Sequence, residues 1–208
     1  SFAKDAVNEV KDSIFQRITD VTRENGPDSY LKAIKGFENG IDLHGSTMNS
    51  FVGREILPEL LPIGKIGIFI DMPQAVGTTI FDRSNDRPYI YKYLAEDILN
   101  WVMEGANFKA LLLRDFDFTI NSETGLPTGI IERFRYLWVR EDKVFVQFFD
   151  VDSTPIDRFG NPGIDVVILD IPRIPFVLFE LQDGLLSDVA NYQIALLNLE
   201  SSDIAYIL

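Results

Sequence analysis

The segment Val144–Ile156, VFVQFFDVDSTPI, carries the residue types and spacing that come closest to chemistry. Asp150 closes an apolar run, and Asp152 and Thr154 follow at alternate positions. A carboxylate at the C-terminal end of a strand can attack phosphorus beside a hard cation while a second carboxylate acts as general acid/base. The remaining parts of such a site are missing. It needs a lysine downstream to neutralise the phosphate, and none follows Lys143. It also needs a later acidic pair and a parallel sheet, whereas Asp150 falls in what reads as an antiparallel meander. A calcium loop opening at Asp150 fares worse. It requires Gly at its sixth position and Glu at its twelfth, where Pro155 and Asn161 stand.

The other reactive types are scattered. Asp115 and Asp117 in LLLRDFDFTI alternate on one strand and so share a face. They read as its polar side, with Phe116 and Phe118 inside. His44 is the single histidine, in a turn with Asp42 and Ser46. No Ser or Cys nucleophile elbow is present, and Gly64 and Gly67 do not make a phosphate loop. Sixteen phenylalanines at strand spacing predict core rather than a stacking surface for bases. With no cysteine, disulfide frameworks and thiolate metal sites are excluded. The expectation is a chain with no catalysis, no cofactor and no metal. Its 32 acidic against 19 basic residues give a formal charge of −13 and no basic stripe, so most of the surface repels nucleic acid.

The elements that would position these residues follow from periodicity. Ala3, Val7, Val10, Ile14, Ile18 and Val21 predict a helix over 2–23, stopped at Asn25–Gly26. A second helix runs from Asp28 or Ser29 to about Phe37. A third is capped by Ser46 or Thr47, with Phe51, Val52, Ile56, Leu57 and Leu60 on one face and Pro58 set to kink or end it. The period then changes to two. Gly64–Asp71 predicts a buried strand. RPYIYKYL and AEDILNWVM predict a short strand and a short helix. Lys109–Ile120, Gly129–Arg140, Lys143–Val151 and Ile164–Leu169 predict four strands, the first three an antiparallel meander. The fold class expected is α+β, with helical residues 1–63, a mainly antiparallel sheet part at 64–184 and a helix over 185–208.

That last helix holds the sequence's clearest interaction signal. Leu185, Val189, Tyr192, Leu196 and Leu199 form one apolar row. Leu186, Ala190, Ile194, Leu197, Ile204 and Leu208 form a second. The expectation is that one row packs on the sheet of its own domain. The other, with Leu186, Ile194, Leu197 and Ile204 as packing candidates, is left for a further partner. The stripe still runs at Leu208 with no stop signal, and the chain begins without Met or signal peptide. Both features read as part of a longer protein.

Three segments, in order, resemble bacteriophage portal proteins, the head-to-tail connectors through which the genome is packaged. IDLHGSTMNSFVGREILPELLPIGKIGIFIDMP (Ile41–Pro73) is similar to the family's helix leading to a glycine-started strand. RPYIYKYLAEDILNWVM (Arg87–Met103) resembles its Arg-Pro-Tyr…Ile-x-Asn-Trp segment. IPFVLFELQDGLLSDVANYQIALLNLESSD (Ile174–Asp203) resembles its strand and long helix, with Asp188, Asn198 and Ser202–Asp203 at similar places. A further, often basic stretch expected between Phe37 and Glu38 is absent. So are the stem, clip and crown. What remains resembles the wing. The resemblance implies a homo-oligomeric ring, usually a dodecamer, at one capsid vertex of the virion, assembled in the host cytoplasm. It implies the major capsid protein, terminase and tail or adaptor proteins as partners. DNA would pass through the channel without sequence-specific binding, with no membrane and no catalysis. Val144–Ile156 also resembles the first motif of haloacid-dehalogenase-type phosphatases. That resemblance implies the alternative, a magnesium-dependent phosphatase with Asp150 as nucleophile, Asp152 as general acid/base and a bridging magnesium ion. A generic capsid or adaptor protein is the other alternative.

Overall fold

The structure is a computed structural model that describes residues 2–17, 24–72, 87–120, 124, 126–158 and 160–207. It is α+β and divides into two compact units. One joins Ser1–Tyr93 to Val177–Leu208, and the other is Leu94–Phe176. The sequence division at 64 and 184 differs from this, because the strands between those points belong to two separate sheets.

In the first unit, α1 (Phe2–Arg17) buries Val7, with Val10 and Ile14 half-buried on the same face. The end expected for this helix, 18–23, lies outside the described residues. After α2 (Asp28–Ile34) comes α3 (Met48–Phe51), capped where expected. The Thr47 hydroxyl accepts the Ser50 N–H at 3.0 Å. Of the kink or early end expected at Pro58, the early end does not occur, and the helix is instead distorted just ahead of the proline. Val52–Ile56 forms a π-helical turn, in which the Leu57 N–H reaches back to the Val52 carbonyl, and α4 (Leu57–Ile63) continues with Pro58 in its first turn. Proline lacks an N–H and its ring collides with the carbonyl four residues back. A wider turn just ahead removes both conflicts, and an N-terminal turn tolerates proline.

Gly64 ends α4 in the left-handed conformation (φ 82°) and leads into β1 (Lys65–Asp71). β1 is the centre of a three-stranded sheet between β2 (Tyr89–Leu94) and β9 (Phe176–Glu180). Ile34, Ile41, Phe51, Ile56, Leu60, Ile66 and Ile90 make the core of this unit. A second link ties its ends together. Leu181 N–H donates to Gly64 O at 2.7 Å, and Leu185 N–H donates to Leu61 O at 2.6 Å. Between them Gly184 lies so close to the Pro62 carbonyl oxygen that any Cβ would overlap it. The segment around Gly184 is therefore a clasp onto the end of α4, and α5 (Ser187–Ile207) starts from it.

The second unit is a six-stranded antiparallel sheet in the order β3-β4-β5-β6-β7, with β8 also pairing β6. The strands are β3 (Ile98–Glu104), β4 (Asn107–Ile120), β5 (Pro127–Arg140), β6 (Lys143–Phe149), β7 (Pro155–Ile156) and β8 (Val167–Leu169). The expected meander is present. The short helix expected at AEDILNWVM is corrected. Only Ala95–Asp97 make a 3-10 turn, and Ile98 onward is strand β3, with Trp101 opposite Leu111 and Val102 opposite Ala110. Its helical spacing spans too few residues to outweigh a long neighbour offering a hydrogen-bonded edge. Leu111, Leu113, Leu137, Val144, Val146 and Phe148 are buried in this sheet.

Candidate functional site: a C-terminal helix with two uncovered faces

Asp150 and Asp152 lie together, but in a turn. Asp150 Oδ1 accepts the Asp152 N–H at 3.0 Å and the Thr154 N–H at 2.7 Å, and Asp150 N–H donates to Thr154 O. This carboxylate shapes the tight connection from β6 to β7, two antiparallel strands. The parallel framework that a phosphoryl-transfer site of this type needs is not built around it.

Asp115 and Asp117 share a face, as alternation requires, but the phenylalanines do not lie inside. Phe116 and Phe118 are 56% and 62% exposed, while Asp115 is 8% exposed. The register decides this. Asp115 pairs with Arg133 and Leu113 with Arg135, on the same face as Leu111 opposite Leu137. Arg135 Nε donates to Asp115 at 2.8 Å, and Arg133 Nη1 meets Asp117 at 3.2 Å and donates to the Arg158 carbonyl. Both guanidinium groups lie over the Phe148 ring, at 4.7 and 5.4 Å from its centre. The cluster compensates its own charge and gives the sheet a polar end to its core.

His44 is exposed, in a loop folded around Asp42. Asp42 Oδ1 accepts the His44 N–H at 2.9 Å and the Ser46 N–H at 3.1 Å. Burial pushes the Asp42 carboxyl up, but the Ser46 hydroxyl and these two amides outweigh it, so its pKa lies below the ordinary value. The loop is anchored from beneath by Arg87, which is buried and donates to Gly40 O at 2.8 Å. In the sequence Arg87 stands only as the first residue of the expected strand RPYIYKYL, and nothing in that spacing marks it as an anchor for a loop 47 residues earlier. Among the described residues no group of three His, Asp or Glu side chains is placed to hold a metal. No described helix is long and apolar enough to cross a membrane.

The feature that remains is α5. Leu186, at the clasp, is half-buried, and from Asp188 to Ser201 every side chain is exposed. Ile194 and Leu197 are 57% and 63% exposed, and the side chain of Ile204 lies outside the described residues. The other row is equally bare, with Val189, Tyr192, Leu196 and Leu199 all more than half exposed. The expectation that one row packs on its own sheet is thus corrected. The clasp fixes only the start of the helix, and among the described residues none covers it from Asp188 to Ser201. Nor do the rows merge into one wide stripe. At about 100° per residue, their mean directions differ by roughly 130°. Gln193 and Glu200 separate them on one side, and Asn191 and Asn198 on the other. The helix therefore presents two apolar faces.

No protein-family model and no curated protein matches this chain.

Proposed function

We propose that this chain is the wing part of a phage portal subunit, a structural member of a homo-oligomeric ring at the capsid vertex through which DNA is packaged and ejected. The observation that carries this reading is the pair of apolar faces on α5, bare along Asp188–Ser201. An isolated helix with one apolar face needs one partner. A helix with two faces about 130° apart sits between two, as a subunit in a closed ring does. The order of the three resembling segments supports the same reading. Two of them fall on elements of the expected kind, a helix ending at Gly64 before β1 and the strand β9 before α5.

In the ring each subunit offers one face of α5 to one neighbour or to the rest of its own subunit, and the second face to another. Burying a leucine or valine contributes about 1.5–3 kcal/mol, so several per face overcome the mutual repulsion of chains carrying −13. That acidity also suits a channel whose wall must let DNA slide. Terminase, the major capsid protein and tail or adaptor proteins are the partners of such a ring.

Sedimentation and electron microscopy of the full-length protein test this. Rings are expected for the natural sequence and are expected to be lost or aggregated in Ile194→Asp/Leu197→Asp. Intact rings of unchanged size in that variant would remove α5 from the assembly, and a natural protein that stays monomeric would remove the portal reading.

A further inference from the structure

Two Glu-Asn-Gly tripeptides occur in this chain, at Glu24–Gly26 and Glu38–Gly40. In both, the asparagine has a left-handed backbone, φ 65° at Asn25 and 69° at Asn39. Asparagine before glycine is prone to lose its side-chain amide, because glycine has no Cβ to shield its backbone nitrogen from the neighbouring side-chain carbonyl carbon. With the same residues in both tripeptides, the surrounding fold decides which of the two reacts.

At Asn39–Gly40 the peptide is held on all sides. Gly40 N–H donates to Phe37 O at 3.0 Å, Asn39 O accepts the Gly45 N–H at 2.8 Å, and Gly40 O accepts from Arg87. Gly40 is buried against the backbone of Gly45 and Ser46. The nitrogen cannot leave its partner or rotate towards Asn39 without opening the loop. Asn25 and Asn39 are both exposed, so the hold on the following peptide, not access to the side chain, separates the two sites. Among the described residues, no backbone carbonyl accepts the Gly26 N–H and no backbone amide donates to Asn25 O.

We propose that Asn25 is a site of spontaneous modification in the folded protein, converted to aspartate and isoaspartate through attack by the Gly26 nitrogen, while Asn39 is protected. The Gly26 nitrogen gives its proton to solvent and bonds to the Asn25 Cγ. The bond from Cγ to the side-chain nitrogen breaks, and that nitrogen leaves as ammonia with a proton from solvent. Water then adds to either carbonyl of the resulting five-membered succinimide and reopens it. One water is consumed and one ammonia released, with no oxidant or reductant. The product carries a new carboxylate and, as isoaspartate, one extra backbone carbon in the link just before α2.

Incubating the intact chain at neutral pH in heavy-oxygen water, then mapping its peptides by mass spectrometry, tests this. Labelled acid at position 25 should form at least about tenfold faster than at position 39, the ratio expected when one peptide must first open locally and the other need not. In guanidinium the two rates should converge. Equal rates in the folded chain, or a faster one at Asn39, would overturn the proposal, as would a difference that persists unchanged in denaturant. Gly26→Ala should slow conversion at Asn25 several-fold, and an unchanged rate would equally rule out the succinimide route.

Discussion

Arg87 is 8% exposed, and its guanidinium supplies the donor for Gly40 O in a loop where Gly36, Glu38, Asn39, Gly40, Leu43 and Gly45 all have positive φ. Such a backbone persists only where its surroundings hold it. Arg87→Ala should therefore cost about 1–3 kcal/mol, read as a lower midpoint in urea unfolding, because it leaves the buried Gly40 carbonyl without a donor. On the upper side of the same loop, the Asp42 pKa is depressed in the fold. Its contribution is then present above the ordinary carboxylate pKa and is lost as pH falls through the lower, folded value. Asp42→Ala should lose about 1 kcal/mol at neutral pH, a modest figure because the group is partly solvated. The difference from the natural protein should shrink below about pH 4, where the ordinary carboxylate titrates. A constant difference down to about pH 2, well below that ordinary value, would show that the charge is not involved. Asp150 belongs to the same class of turn-shaping carboxylates. With its Oδ1 committed to the Asp152 and Thr154 amides, the purified chain with magnesium should not hydrolyse a generic phosphomonoester. Turnover abolished by Asp150→Asn would favour the phosphatase alternative instead.

Among the elements, the clasp between α4 and the start of α5 sets the direction of the last helix. Its closeness rests on Gly184, whose missing Cβ leaves room for the Pro62 carbonyl. Gly184→Ala should push the two strands of chain apart, break the Leu185–Leu61 and Leu181–Gly64 hydrogen bonds and destabilise the first unit by roughly 2–4 kcal/mol. Hydrogen exchange would locate the effect, with faster exchange at the Leu181 and Leu185 amides and little change in the six-stranded sheet. Uniform loss of protection across both units would mean that the clasp is not a local device. The π turn ahead of Pro58 follows the same logic, since a proline that would have broken an ordinary helix is absorbed by one wider turn.

For the molecule as a whole, the assembly through α5 that we propose sets apolar burial against like charge. Repulsion between acidic subunits is screened by salt, while burial of leucine and valine is not weakened by it. Rings of the full-length protein should therefore form more completely as ionic strength rises from low to moderate values, as measured by sedimentation. Rings that dissociate with added salt would point to ion pairs instead of α5 as the holding force.

What the sequence determined by itself was whatever depends on neighbours close along the chain. The helix cap at Thr47, the change of period at β1, the meander β4–β5–β6 and the two apolar rows of α5 all arise from local spacing and turn chemistry. What only the tertiary structure decided depends on partners far along the chain. Ile98–Glu104 became a strand because β4 offered it an edge. The parity of Asp115 and Phe116 was set by the register with β5, since a shift of one residue exchanges the faces of a strand. Arg87 gained its importance from a carbonyl 47 residues away, and Gly184 from a carbonyl on another helix. The candidate site divides in the same way. Its apolar rows could be read in the sequence, but their exposure could not, because burial belongs to the space around a helix and periodicity describes only the helix itself.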